Sequence, residues 1–328
     1  MALNRLLVLV AASAALSPLA AAPVIAQKTD WPSRPIRFVV PFPPGGGTDL
    51  VARTTAVPLA AALGQQIVID NRGGAGGNIG VEITTRAEPD GHTILIGSIG
   101  PISINPTLYA GKLPFDPLRD LTPVVHTSEV LNMLVVNPAL PINSVKEFIE
   151  YLRKNPGKVS YGSSGIGATD HLAGELLDRI AGTKTIHVPY KGGGPAVLDL
   201  LAGNIQFSFA TIASVQQHWK SGKLRGLAVS AGKRVSLFPD LPSMAETLPG
   251  YAVNNWYGIF VPAKTPSPIV DRLNGEFNKL LKTADIIERH NAAGIVPTGG
   301  TSAEFVKFIK AEASKWSKII KDAAIKLD

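Results

Sequence analysis

The feature that most limits what this chain can fold into is an alternation. Eleven short apolar runs, bordered by glycine or proline, are interleaved with segments of helical periodicity. The runs are IRFVVPF, QQIVIDN, HTILIGS, LTPVVHTS, NMLVVN, KVSYGSS, KTIHVPY, IQFSFAT, LRGLAVS, WYGIFVP and GIVPTGG. Their brevity, β-branched content and borders predict strands. Between them, DLVARTTAVPLAAALG closes on Gly64, and SVKEFIEYLRKNPG opens at Ser144 with Glu147 three residues on, the spacing of a capping box. TDHLAGELLDRIAG closes on Gly182, the segment from Ser267 to Gly294 reads as two helices, and a last helix opens with Thr301 and Glu304. The alternation predicts an α/β fold of parallel, doubly wound sheets flanked by helices.

The first residues stand apart. Asn4 and Arg5 precede the apolar, small-residue stretch Leu6–Ala26, which Ser13, Ser17, Pro18 and Pro23 interrupt. Residues 1–26 are therefore expected to be a cleaved secretory signal peptide rather than a membrane anchor. The chain has no cysteine, so in an oxidising compartment a packed core alone must hold it. About 300 mature residues suit two lobes. Proline-rich crossings at Leu134–Ser144 and Asn254–Pro268 suggest residues 30–133 with 256–328 as one lobe and 134–255 as the other. Without Arg5 the formal charge falls from +7 to +6, a weak bias towards anionic ligands. Basic residues are scattered and form no dense run, so nucleic acid is not an expected partner.

Chemistry concentrates in glycine loops between strand and helix. PFPPGGGTDL (Pro41–Leu50) places bare peptide N–H groups at a helix start, with Thr48 or Asp49 as the expected N-cap. Such amides favour an anion, and glycine lets it approach. SYGSSGIGATDHLAGELL (Ser160–Leu177) repeats the layout in the other lobe and adds the hydroxyls of Ser163, Ser164 and Thr169. Asn71–Glu82 and Pro189–Leu201, the latter with Lys191, are further glycine loops that fit a cleft wall or simple packing equally well. Ser98 is a candidate donor at a strand end. Phe42 and Trp256 could touch an apolar ligand body, although a core role suits them too.

Several chemistries lack their motifs. No Walker phosphate loop, nucleophile elbow or H-E-x-x-H occurs, and GIGATD breaks the dinucleotide fingerprint at its last position. Six dispersed histidines and no thiols give no metal site and no cofactor site.

PFPPGGGTD, NRGGAGGNIG, PDGHTILIGS, YGSSGIGATDHLAGEL, VPYKGGGPAVLDLLAG and WYGIFVPAKTP, in this order, resemble the tripartite tricarboxylate transporter substrate-binding proteins, the Bug receptors, over essentially the whole mature chain. The resemblance implies a two-lobed periplasmic binding protein fold of type II (Venus flytrap), no enzymatic activity and a carboxylate-bearing ligand. It implies that the loops Pro41–Asp49 and Ser163–Thr169 grip one carboxylate, partly through water. The ligand-binding set expected on this basis is Phe42, Gly46, Gly47, Thr48, Asp49, Ser98, Ser163, Ser164, Gly167, Ala168, Thr169 and Thr211. At Thr211 many relatives carry aspartate, so a plain carboxylate suits the far end better than an amino group. The implied partners are two integral membrane permease subunits, with the receptor a periplasmic monomer. Two alternatives stay open: a ligand-sensing partner of a membrane signalling protein, and an exported hydrolase that uses the glycine loops as oxyanion donors.

Overall fold

The structure, a computed structural model, describes residues 31–322; the expected signal peptide and residues 323–328 lie outside them. All eleven apolar runs form strands: β1 (Ile36–Val40), β2 (Ile67–Asn71), β3 (Thr93–Ser98), β4 (Leu121–Val130), β5 (Asn132–Val136), β6 (Ser160–Ser163), β7 (Ile186–Pro189), β8 (Phe207–Thr211), β9 (Arg225–Val229), β10 (Asn255–Pro262) and β11 (Ile295–Pro297). The helices are α1 (Gly47–Leu63), α2 (Asn78–Thr85), α3 (Asn105–Leu108), α4 (Pro117–Asp120), α5 (Val145–Lys154), α6 (Thr169–Ala181), α7 (Gly193–Ala202), α8 (Ile212–Lys220), α9 (Met244–Thr247), α10 (Ser267–Leu280), α11 (Ala284–Ala292) and α12 (Ser302–Asp322). Gly64 and Gly182 close α1 and α6 in the left-handed conformation, as their positions predict. Ser144 accepts from the amide of Glu147, and Thr301 and Glu304 exchange reciprocal bonds.

Two sheets result, of order β11-β4-β10-β3-β1-β2 and β7-β6-β8-β5-β9. They are mixed, which corrects the expectation of parallel sheets. β1 is parallel to β2 and β3, and β6 is parallel to β7 and β8. β10 is antiparallel to β3 and β4, β11 to β4, and β5 to β8 and β9. The reason lies in connectivity. Parallel neighbours need a crossover of a dozen or more residues, whereas strands arriving directly from the other sheet have none.

The chain first changes sheet at a single residue, Leu131, between β4 and β5. Its amide donates to Gly294 O (2.9 Å), and its carbonyl accepts from the amide of Ile212 (3.0 Å). The return runs between Val229 and Asn255. Asn132 and Met133, which sequence reading places in the first lobe, pair with Thr211 and Ala210 in the second sheet. Nothing in the apolar pattern marks that switch, since β4 and β5 read almost as one run. The cores are aliphatic and aromatic, with Phe38, Trp256, Phe260, Phe277 and Trp316 fully buried. Trp256 is thus a core residue.

Candidate functional site

The first glycine loop leaves β1 and turns at Gly45, whose φ of +91° only glycine takes cheaply. The helix then starts two or three residues earlier than expected. Gly46 is the N-cap, extended at φ −85° and ψ 175°, and it has no side chain with which to cap. Asp49 serves the loop instead. Its carboxylate accepts from the amide of Gly45 (3.0 Å), from Arg53 Nε (2.9 Å) and from Asn71 Nδ2 (3.0 Å). Burial pushes its pKa up, but bonds from Arg53, Gly45 and Asn71 outweigh this and hold it below the usual range. Among the described residues, no acceptor meets the amides of Gly46, Gly47 and Thr48. Three donors at the positive end of a 17-residue helix therefore stand open.

The second loop is built on the same device and is spent differently. Asp170 folds back to accept from the amide of Ser164 (2.7 Å), the hydroxyl of Ser164 (2.5 Å) and the amide of His171 (3.0 Å). Burial pushes Asp170 up to about 6 despite these bonds. The amide of Gly167 donates to His171 Nδ1 (3.1 Å), that of Ala168 to Gly165 O (3.1 Å) and that of Gly165 to Ser163 Oγ (3.1 Å). Ser163 Oγ bonds His187 Nε2 (2.6 Å) and is wholly buried. Of the loop residues that line the cavity, the one left open is Thr169, through its amide and its hydroxyl. Burial and then the nearby His187 lower His171 to about 3, so it stays a neutral acceptor.

These buried groups set a pH dependence. Burial also lowers His126, stacked on Phe305 and Phe308, to about 4, and His290, whose Nε2 meets Thr54 Oγ1 at 2.8 Å, to about 4. Unfolded histidines titrate near about 6.5, so below that pH the unfolded chain takes up protons the folded chain refuses. Asp170 acts oppositely, because its raised folded pKa adds stability as pH falls through about 6, and Glu129, also raised by burial, acts in the same direction. The three histidines outweigh the two carboxylates, because each ring is pushed further from its ordinary value than Asp170 is. The melting temperature should fall by several degrees between pH 7 and pH 5 in thermal denaturation, and a flat profile would contradict the burial of these rings.

Both loops open on one cavity of about 350 Å³. Of the residues singled out in the sequence, Phe42, Gly46, Gly47 and Thr48 line it from the first loop, and Ser164, Ala168 and Thr169 from the second. Ser98 reaches it from the end of β3 and Thr211 from the end of β8. Asp49, Ser163 and Gly167 are not on its wall; their polar groups are engaged by the protein itself, Asp49 with Gly45, Arg53 and Asn71, Ser163 with Gly165 and His187, and Gly167 with His171. Asn132, Asn255, Tyr257 and Ser214 also line the cavity and were not singled out. Asn132 and Asn255 begin strands beside the sheet crossings, so only tertiary structure brings them here. The wall positions left open in the sequence are filled by Gly76 from the third glycine loop and by Lys191 to Pro195 from the fourth. Thr48, Ser98 and Thr169 are each more than nine-tenths buried, with hydroxyls that have no partner among the described residues. Hydroxyls without a protein partner that face one void call for an acceptor from outside. Among the described residues, no group of three or more histidines and carboxylates is placed to hold a metal ion, and no helix is long and apolar enough to cross a membrane.

Known proteins share this fold. The family model of the tripartite tricarboxylate transporter family receptor matches residues 51–325. BugT of Bordetella pertussis is 36% identical over 309 residues, covering 94% of each chain. Rpa4515 of R. palustris, solved with adipate, superposes with a TM-score of 0.87 at 36% identity, covering 90% of this chain and 99% of that one. MatC of Rhodopseudomonas palustris, solved with malate, gives 0.83 at 31% identity, covering 88% and 100%. With the fold and nearly the full length matched, the chain belongs to the tripartite tricarboxylate transporter receptor family.

Proposed function

We propose that this receptor captures a small carboxylate between its two sheets, with residues 31–131 and 255–322 as one lobe and 132–254 as the other. The observation that carries this reading is the set of open donors around one void: the amides of Gly46, Gly47 and Thr48 opposite the amide and hydroxyl of Thr169. Charge-assisted bonds of this kind contribute about 1.5–3 kcal/mol each. They need no buried arginine, and a cavity of about 350 Å³ suits a small acid. Adipate in Rpa4515 and malate in MatC support the ligand class.

The family and the expected leader support the finer parts of the reading. Exported by its signal peptide, the receptor acts in the periplasm. There it delivers its ligand, as a monomer, to two membrane permease subunits, without catalysing a reaction. The pair Ser163–His187 has the contacts of a nucleophile and a base, but its hydroxyl is buried away from the cavity, which favours a receptor over a hydrolase.

A thermal-shift screen of mono-, di- and tricarboxylates tests the proposal. A cognate acid at 100 times its Kd should add about 2.7 kcal/mol of stability and raise the melting point by several degrees. An unmoved melting point across all three classes would remove the carboxylate reading.

A further inference from the structure

The three glycines that open α1 answer to three different demands. Gly45 takes a positive φ, and a Cβ on Gly46 would meet nothing within 4 Å. Gly47 has no positive φ, yet a Cβ there would stand 2.5 Å from the hydroxyl oxygen of Tyr257 and 3.2 Å from its ring. Glycine at 47 therefore supplies clearance. It lets a phenol stand directly against the first turn of the helix.

Tyr257 comes from β10, where it is the cross-strand partner of Ser98 on β3. Side chains directly opposite in an antiparallel pair share a face, so both hydroxyls leave the sheet on the same side. Both residues line the cavity, and each is more than nine-tenths buried. The side-chain oxygen of Asn255, another wall residue, accepts from the amide of Trp256, and its side-chain nitrogen faces the phenol oxygen as a donor. The phenol's own proton has no acceptor among the described residues. Burial, and then the charge of Asp170, push Tyr257 far above its ordinary range, so at neutral pH it keeps that proton.

We propose that the Tyr257 hydroxyl donates to the ligand carboxylate held at the start of α1, side by side with Ser98, and that Gly47 is the residue that admits it. The inference rests on the carboxylate-receptor reading above. A donor to the phenol oxygen strengthens the phenol's own donation, and an ionised acceptor makes the bond roughly twice as strong as a neutral one does.

The test is calorimetric titration of the full-length mature protein with acetate, adipate, malate and citrate, followed by the tightest binder of the four as probe. Tyr257→Phe keeps the ring and should weaken that acid about tenfold or more, with the ligand-free melting temperature unchanged. Gly47→Ala should weaken it about tenfold in the parent, because its Cβ displaces the phenol, and less than about threefold in the Tyr257→Phe background, where no hydroxyl is left to displace. That cycle reads the contact even where Tyr257→Phe shifts the melting temperature. A loss smaller than about threefold in Tyr257→Phe, or an equal cost of Gly47→Ala in both backgrounds, overturns the inference and leaves the receptor reading intact. Failure of all four acids to bind the parent removes both.

Discussion

Replacing Gly46 with aspartate should cut carboxylate affinity about a hundredfold or more while leaving the ligand-free protein as stable as the parent or slightly more so. Gly46 is the N-cap of α1, with extended φ and ψ that aspartate adopts readily, and a Cβ there would meet nothing within 4 Å. An N-cap carboxylate accepts from the amides two or three residues on, here those of Thr48 and Asp49. The helix would then hold its own anion in place of the ligand. Losing the Thr48 amide forfeits about 1.5–3 kcal/mol, the like charge beside the bound carboxylate opposes it further, and each 1.4 kcal/mol is about tenfold in affinity. The gain in fold stability is about 0.3–1 kcal/mol from the helix dipole. Gly46→Asn, which caps without charge, should lose less affinity. Isothermal titration alongside thermal melting reads both quantities. Affinity within threefold of the parent in Gly46→Asp would mean that these amides do not meet the ligand.

Gly167→Val should do the opposite, lowering stability by about 2–4 kcal/mol, or roughly 5–12 °C in melting temperature. Gly167 has a φ of +79°, and a Cβ there would collide with Asn105 Oδ1 and come within 3.1 Å of Leu108. Asn105 cannot easily yield, because its Nδ2 donates to Asn78 Oδ1 at 2.7 Å. The amide of Gly167 is already bonded to His171. This glycine serves the fold, and Gly46 serves the ligand. A Gly167→Val protein that melts within a degree of the parent would refute the close approach of Asn105.

Local signals explain what could be read from the sequence. Strands and helix ends were legible because β-branched runs, left-handed glycines and capping boxes act over a few residues. Strand direction was not, since it depends on which sheet a strand enters, and β5 follows β4 with one residue between them. Side-chain capping rules put the start of α1 at Thr48 or Asp49, and they failed where the helix is left uncapped for an outside acceptor. Ser163 and Gly167 looked available because the histidines that engage them lie elsewhere in the chain, His187 on β7 and His171 on the next helix. One signal was visible: Thr-Asp follows the glycines in both loops, at Thr48-Asp49 and Thr169-Asp170. In each pair the threonine faces the cavity and the aspartate braces the turn.

Leu131 bears on how such a molecule can move. Its amide is tied to one half of the protein and its carbonyl to the other. A tether of several residues would let the halves slide and drift apart. A single residue fastened on both sides leaves two backbone torsions as the axle at this crossing. Any swing that admits or releases a solute must turn about that point, with the floor of the binding chamber, where Asn132 starts, nearly at rest and the outer rims travelling farthest.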